Sequence, residues 1–170
     1  MATQQGGSPS WVHGLVTEAY KADREQVIRR LNEVLADELR AILAYQQFYY
    51  LVVGPFSPHL RDLFRKLSQD EMKHAEDAAE RIVALGGVPT TQPTRLSELT
   101  QQLARSGLSQ GTSKWEDMVR MALQDEQDAI RKYSEFVRFL GFDDIVTRRM
   151  IEDFLADEEG HANDLQNLLD

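Results

Sequence analysis

The sequence predicts an all-α fold, a four-helix bundle with one long crossover between its second and third helices. Three observations lead there. Four segments carry apolar residues at three- and four-residue steps, the period of a helix with one buried face. The first segment meets the second, and the third meets the fourth, through only a few residues, whereas residues 86–112 separate the second from the third. The segments also repeat in pairs. Glu71-Met-Lys-His74-Ala-Glu-Asp77 reads against Glu158-Glu-Gly-His161-Ala-Asn-Asp164, a shared E-x-x-H-A-x-D pattern 87 residues apart. Glu38-Leu-Arg-Ala41-Ile42-Leu-Ala-Tyr45 reads against Glu126-Gln-Asp-Ala129-Ile130-Arg-Lys-Tyr133, a shared E-x-x-A-I-x-x-Y pattern 88 residues apart.

Residues 1–20 read as a flexible tail or short arm and residues 21–170 as the bundle domain. The first ten are polar and rich in Gly, Ser and Gln, while Trp11 to Tyr20 form either a short helix or an arm that packs on a neighbour. The first long helix is expected over 23–53, with the stripe Leu31, Val34, Glu38, Ile42, Tyr45, Tyr49 and Val52, and Gly54-Pro55 ends it. Ser57 is the expected N-cap of the second helix, with Pro58 at the first helical position. That helix runs to Leu85 with Leu60, Phe64, Leu67, Glu71, His74, Ala78 and Ile82 on its stripe, and Gly86-Gly87 stops it. The crossover carries Pro89, Pro93, Gly107 and Gly111 and a short helix expected around 96–104; it is long enough to traverse the bundle, which lets the third helix run parallel to the second. Ser113-x-x-Glu116 reads as a capping box opening the third helix, with Val119, Ala122, Glu126, Ala129, Tyr133, Val137 and Leu140 on its stripe. Gly141 caps it, Asp143 or Asp144 starts the fourth, and that last helix carries Thr147, Ile151, Phe154, Glu158, His161, Leu165 and Leu168.

Composition narrows the function. The chain has 170 residues and a net charge of −9, which argues against nucleic acid as its main partner, and the tail has no lysine or arginine before Lys21. It has no cysteine, which excludes disulfides, thiolate zinc sites and iron–sulfur clusters and is compatible with the reducing cytoplasm where the chain is expected to work. No basic-then-apolar leader opens the sequence and no run of about 18 apolar residues occurs, so neither secretion nor a membrane span is expected.

In each stripe an acid or a histidine falls near the middle of the helix. Six ionisable groups, Glu38, Glu71, His74, Glu126, Glu158 and His161, would therefore converge midway down the bundle. Unpaired carboxylates there cost several kcal/mol each, and four acids against two histidines leave charge that nothing else in the stripes cancels. Two divalent cations would balance it. Residues at i and i+3 share a helical face, so each Glu-x-x-His can serve one ion or two adjacent ions, and a set rich in carboxylates suits iron or manganese. One position stays open on spacing alone: a one-residue shift exchanges Asp125 for Glu126, and the E-x-x-A-I-x-x-Y repeat favours Glu126. Met72, beside Glu71, points off the stripe and reads as a surface or interface methionine, and His13 and His59 have no partner pattern.

From about residue 24 to 170 the chain resembles the ferritin-like superfamily, on the bacterioferritin side and close to the Dps-like cages with a bacterioferritin-type centre. The resemblance rests on Asn32-Glu-x-Leu-Ala-x-Glu38-Leu, Tyr45, Asp70-Glu-Met-Lys-His74-Ala-Glu76, Leu85-Gly-Gly-x-Pro89 and Asp157-Glu-Glu-Gly-His161. A Glu from each of two helices plus a Glu-x-x-His from each of the other two is the general ligand pattern of such bundles. The resemblance implies a ferroxidase that oxidises Fe(II) with O2 or H2O2 at two irons per chain and stores the ferric product in a hollow shell. It implies that Glu71 and Glu158 bridge the irons, that Glu38, Glu126, His74 and His161 are terminal ligands, and that Tyr45 stands beside the site as a hydrogen-bond or redox partner. Met72 falls where bacterioferritins hold haem b between two subunits. The chain ends nine residues after His161, without the fifth helix of the 24-subunit shells, so a dodecamer is expected over a 24-mer. A non-storing redox enzyme (peroxidase-like or manganese catalase-like), a Dps-like protective shell, and cargo of a larger compartment are the competing readings.

Overall fold

A computed structural model of the chain describes residues 20–90 and 114–170. Four helices make up these residues, with no strand among them: α1 (Arg24–Leu51), α2 (Ser57–Ala84), α3 (Trp115–Leu140) and α4 (Ile145–Asn167). The expected tail, the short helix around 96–104 and the Ser113 cap lie outside the described residues. Among the described residues no helix is long and apolar enough to cross a membrane.

The helix ends follow local chemistry. Asp23 caps α1 by accepting from the Gln26 N–H at 3.1 Å. After α1 the chain turns through Gly54 at φ +103°, a conformation that favours glycine. The expected N-cap at Ser57 is corrected: Ser57 is the first residue inside α2, and Phe56 precedes it in helical conformation at φ −90°, ψ −1° without a side-chain cap. The backbone joint is already wound at this point, since the Leu60 N–H donates to the Phe56 carbonyl at 3.0 Å, and the serine hydroxyl has no end to cap. α2 stops at a two-glycine turn, where Gly87 N–H donates to Ile82 O and Gly86 N–H to Val83 O, both at 2.9 Å, with Gly86 at φ +80°. A Cβ on Gly87 would come within 2.7 Å of Ile28 Cγ2, so glycine lets the crossover start tight against α1. At the start of α3 the Asp117 carboxylate accepts from Lys114 N–H at 3.3 Å. Asp144 caps α4, its Oδ1 accepting from Thr147 N–H at 2.9 Å.

Contacts between helices give the topology. Ser68 on α2 donates to the Ile42 carbonyl of α1, and Arg65 lies farther back on α2 where Tyr49 lies farther on along α1, so the two helices are antiparallel. Tyr45 pairs with Glu126, and Asp37 with Lys132, which makes α1 antiparallel to α3 as well. α2 and α3 therefore run parallel, as a crossover of this length allows. The core divides in two. Toward one end Tyr45, Phe48, Phe64, Leu67, Val119 and Leu165 pack together, and toward the other Leu31, Ile82, Tyr133, Leu140, Ile151 and Phe154 do. The stripes place most of these correctly, but the match is looser on α1. Phe48 is fully buried outside the stripe, while Tyr49, on it, is only half-buried and takes a hydrogen bond from Arg65. α1 packs on both α2 and α3, so its buried face is wider than one stripe. The six acids and histidines singled out above lie between the two apolar halves.

Candidate metal centre

All four helices deliver their ionisable residues to one belt. Glu38 comes from α1, Glu71 and His74 from α2, Glu126 from α3, and Glu158 and His161 from α4; each is at most 5% exposed. They divide into two groups. Glu38, Glu71, His74 and Glu158 form one, and Glu71, Glu126, Glu158 and His161 the other, with the ligand atoms of each group within 4.8 Å of one another. Glu71 and Glu158 belong to both. His74 Nδ1 lies 3.3 Å from Glu71 Oε2, 3.3 Å from Glu158 Oε1 and 4.0 Å from Glu38 Oε1. His161 Nδ1 lies 3.1 Å from Glu158 Oε2, 3.7 Å from Glu71 Oε1 and 3.9 Å from Glu126 Oε1. The two halves are thus near copies, as the sequence repeat implies. Glu126 faces the centre, whereas Asp125 turns to Arg40.

Burial and crowding set where protons sit. Burial, followed by the Glu71 carboxylate, pushes Glu38 well above its ordinary range. Burial and then Glu158 push Glu126 up to about 11. Burial acts in the same direction on Glu158, but hydrogen bonds from His161 and His74 overcome it and bring that acid down to about 2. Burial disfavours a charged His74, yet Glu158 and Glu71 outweigh it and raise the imidazole to about 10; His161 is raised by Glu158 and Glu71 against the same burial penalty. Glu71 Oε1 is buried without a hydrogen-bond partner, which costs on the order of 1–3 kcal/mol. A belt that holds protons on acids and histidines alike and still leaves an acceptor orphaned is suited to cations that replace those protons.

A second layer holds the first. The Tyr45 hydroxyl donates to Glu126 Oε1 at 2.5 Å, and the Tyr133 hydroxyl donates to Glu38 Oε1, so the tyrosine of each repeat serves the acid of the other. His74 Nε2 lies 3.2 Å from Asp157 Oδ2, and His161 Nε2 lies 3.2 Å from Asp70 Oδ2. An Nε2–H given to each aspartate leaves Nδ1 aimed at the acids. The His74 ring also stacks on Phe154, with centroids 4.2 Å apart and planes at 26°. Sequence reasoning missed these aspartates, although the signal was present. The dipeptide Asp-Glu occurs at Asp37-Glu38, Asp70-Glu71, Asp125-Glu126 and Asp157-Glu158 and nowhere else in the chain. Two of those aspartates hold the histidines. The other two form ion pairs, Asp125 with Arg40 at 3.0 Å and Asp37 with Lys132 at 2.5 Å. Met72 lies outside both groups and is 42% exposed on α2.

Comparison with known proteins gives consistent results. Residues 28–170 match the family described as ferritin-like domain. Bacterioferritin of Desulfovibrio desulfuricans is 32% identical over 151 residues, covering 87% of this chain and 77% of that protein. The nutrient stress-induced DNA-binding protein of Synechococcus is 29% identical over 147 residues, covering 85% of this chain and 81% of its own. Among solved structures, the dodecameric thioferritin from Bacteroides fragilis, a bacterioferritin-related protein, aligns with a TM-score of 0.74 at 27% identity, covering 88% of this chain and 87% of the other.

Proposed function

The chain belongs to the ferritin-like family, and from that premise we propose that it is a ferroxidase that takes up Fe(II), oxidises it at an intrasubunit two-iron centre and stores or detoxifies the ferric product in a hollow shell. The observation that carries this reading is the pair of acid–histidine groups that share Glu71 and Glu158. In the proposal those two carboxylates bridge the irons, Glu38 and His74 complete one site, and Glu126 and His161 complete the other. Iron is favoured over manganese by the relatives, and both ions suit the donor set.

Two Fe(II) ions surrender one electron each. With O2 as oxidant, two electrons and two protons yield H2O2; with H2O2, two electrons and two protons yield two waters. The chain's part is to hold two irons side by side in a water-poor belt and to keep the ligands oriented. Tyr45 and Tyr133 hold the terminal carboxylates, and Tyr45, hydrogen-bonded to Glu126, is the proposed partner in the reaction. Asp157 and Asp70 fix the histidines. Met72 offers one exposed thioether, so a haem b there would have to be shared with a second copy of the chain. The assembly proposed is a dodecamer, the state named for the relative from Bacteroides fragilis.

The test is anaerobic Fe(II) loading followed by air or peroxide, with the particle mass measured in parallel. Rapid oxidation, and iron retained far beyond two per chain by a large particle, is the expected result. Glu71→Ala should lose the rapid phase because it removes a donor from both sites. Wild-type rates in Glu71→Ala would overturn the ferroxidase reading. A dimer that holds two irons per chain and no more would move the function to redox catalysis without storage.

A further inference from the structure

A cavity of about 30 Å³ opens from the centre between α1 and α3, lined by Glu38, Glu71, Glu126 and Glu158 and bordered by the partly exposed Asp128 and Lys132. That is room for a single water or a bare ion. Two small side chains leave this room, Ala41 on α1 and Ala129 on α3. They are the alanines of the repeated E-x-x-A-I-x-x-Y pattern, each three residues after its glutamate, and coordination of a metal does not call for them. Two ion pairs span the same seam. Arg40 reaches from α1 to Asp125 on α3, with side chains 15% and 9% exposed, and Lys132 reaches from α3 to Asp37 on α1. Each aspartate immediately precedes a glutamate of the centre. A cation approaching Glu38 or Glu126 from this side first meets a carboxylate already occupied by a basic side chain.

We propose that the α1–α3 seam is the entrance through which divalent cations reach the centre, held open by Ala41 and Ala129 and latched by the Arg40–Asp125 and Lys132–Asp37 pairs. The incoming ion takes over the aspartate as the basic side chain swings out, then passes to the adjacent glutamate, and the latch closes behind it. At each exchange one cation replaces another on the aspartate, so the carboxylate is not left bare in a half-buried position. Arg40 and Lys132 are positioning residues that set the rate of passage and leave the centre's final occupancy to its six ligands. This inference rests on the two-ion reading of the centre.

The experiment uses the assembled full-length protein, freed of metal and mixed anaerobically with Co(II) in a stopped-flow spectrometer. The cobalt absorption bands report entry, a chelator chase reports release, and a titration reports the number bound. Arg40→Gln should speed both entry and release by about threefold or more, the factor that an ion pair of this kind is worth. Arg149→Gln removes the same charge from the groove between α2 and α4 and should leave both rates unchanged. Ala129→Leu should slow entry by an order of magnitude or more by filling a space the size of one water, with two Co(II) still bound at equilibrium. Equal effects of Arg40→Gln and Arg149→Gln would overturn the entrance, as would wild-type entry in a fully helical Ala129→Leu. If Ala129→Leu loses helicity, the two arginine variants decide the matter. A wild-type protein that fails to saturate at two Co(II) per chain would instead overturn the two-ion reading itself.

Discussion

The aspartate in front of each proposed carboxylate ligand does a different job on each side of the bundle. Asp70 and Asp157 receive the outer nitrogens of the histidines, at 3.2 Å each, from the opposite helix. Asp157→Asn should therefore weaken Co(II) binding by about 10–100-fold, measured by anaerobic titration, without unfolding the chain. The buried acids and histidines of the centre set the pH response of the metal-free protein. His74 is raised from 6.5 to about 10 and Glu126 from 4.5 to about 11, so the stability they contribute is full below their ordinary values and is lost as pH rises through 10 to 11. Glu158 is lowered to about 2, so its contribution is present above 4.5 and is lost as pH falls toward 2. Thermal melts of metal-free protein should accordingly peak near pH 4.5 and decline toward pH 10, more steeply above about 6.5, whereas saturating Co(II), which replaces the protons, should reverse the decline on the alkaline side. The six acids and histidines that converge in the belt were legible in the sequence because they repeat and sit on apolar stripes. The aspartates and the Arg40 and Lys132 pairs were not, because a contact between residues 83 to 95 positions apart has no period to betray it.

At the scale of the element, the helices are specified by stripes and the joints by caps, and the two differ in how well they can be read. Gly86-Gly87 and Gly141 end their helices as expected because only glycine enters their backbone conformation or their tight packing at low cost. Ser57 misled because a preceding wound turn made the cap unnecessary. Asp144 offered no hint beyond its capping role, yet it is the hub of the α2–α4 end. It accepts from Thr147, from Arg81 at 3.0 Å and from the Tyr20 hydroxyl at 3.0 Å, while only 3% exposed. Asp144→Ala should cost about 3–5 kcal/mol in denaturant unfolding, because it strands the Arg81 guanidinium as well as removing the cap. In the other half of the core, Phe64 packs fully buried against Phe48 at 5.3 Å and Tyr45 at 6.5 Å. Phe64→Ala should cost about 3–5 kcal/mol in the same measurement.

For the molecule as a whole, the bundle is two helical hairpins, α1–α2 and α3–α4, that meet across the belt of acids and histidines. The hairpins pack extensively within themselves, and the belt's hydrogen bonds and ion pairs supply much of what joins one to the other. Metal binding should therefore stiffen the junction between hairpins more than either hairpin alone, which hydrogen exchange with and without Co(II) can read as protection concentrated on the facing turns of α1 and α3 and of α2 and α4. The most direct test of the central claim is anomalous diffraction from crystals of the full chain loaded anaerobically with Co(II) or Fe(II). Two peaks per chain are predicted, one beside Glu38 and His74 and one beside Glu126 and His161, both touching Glu71 and Glu158. A single peak, or ions bound away from these six residues, would contradict the account.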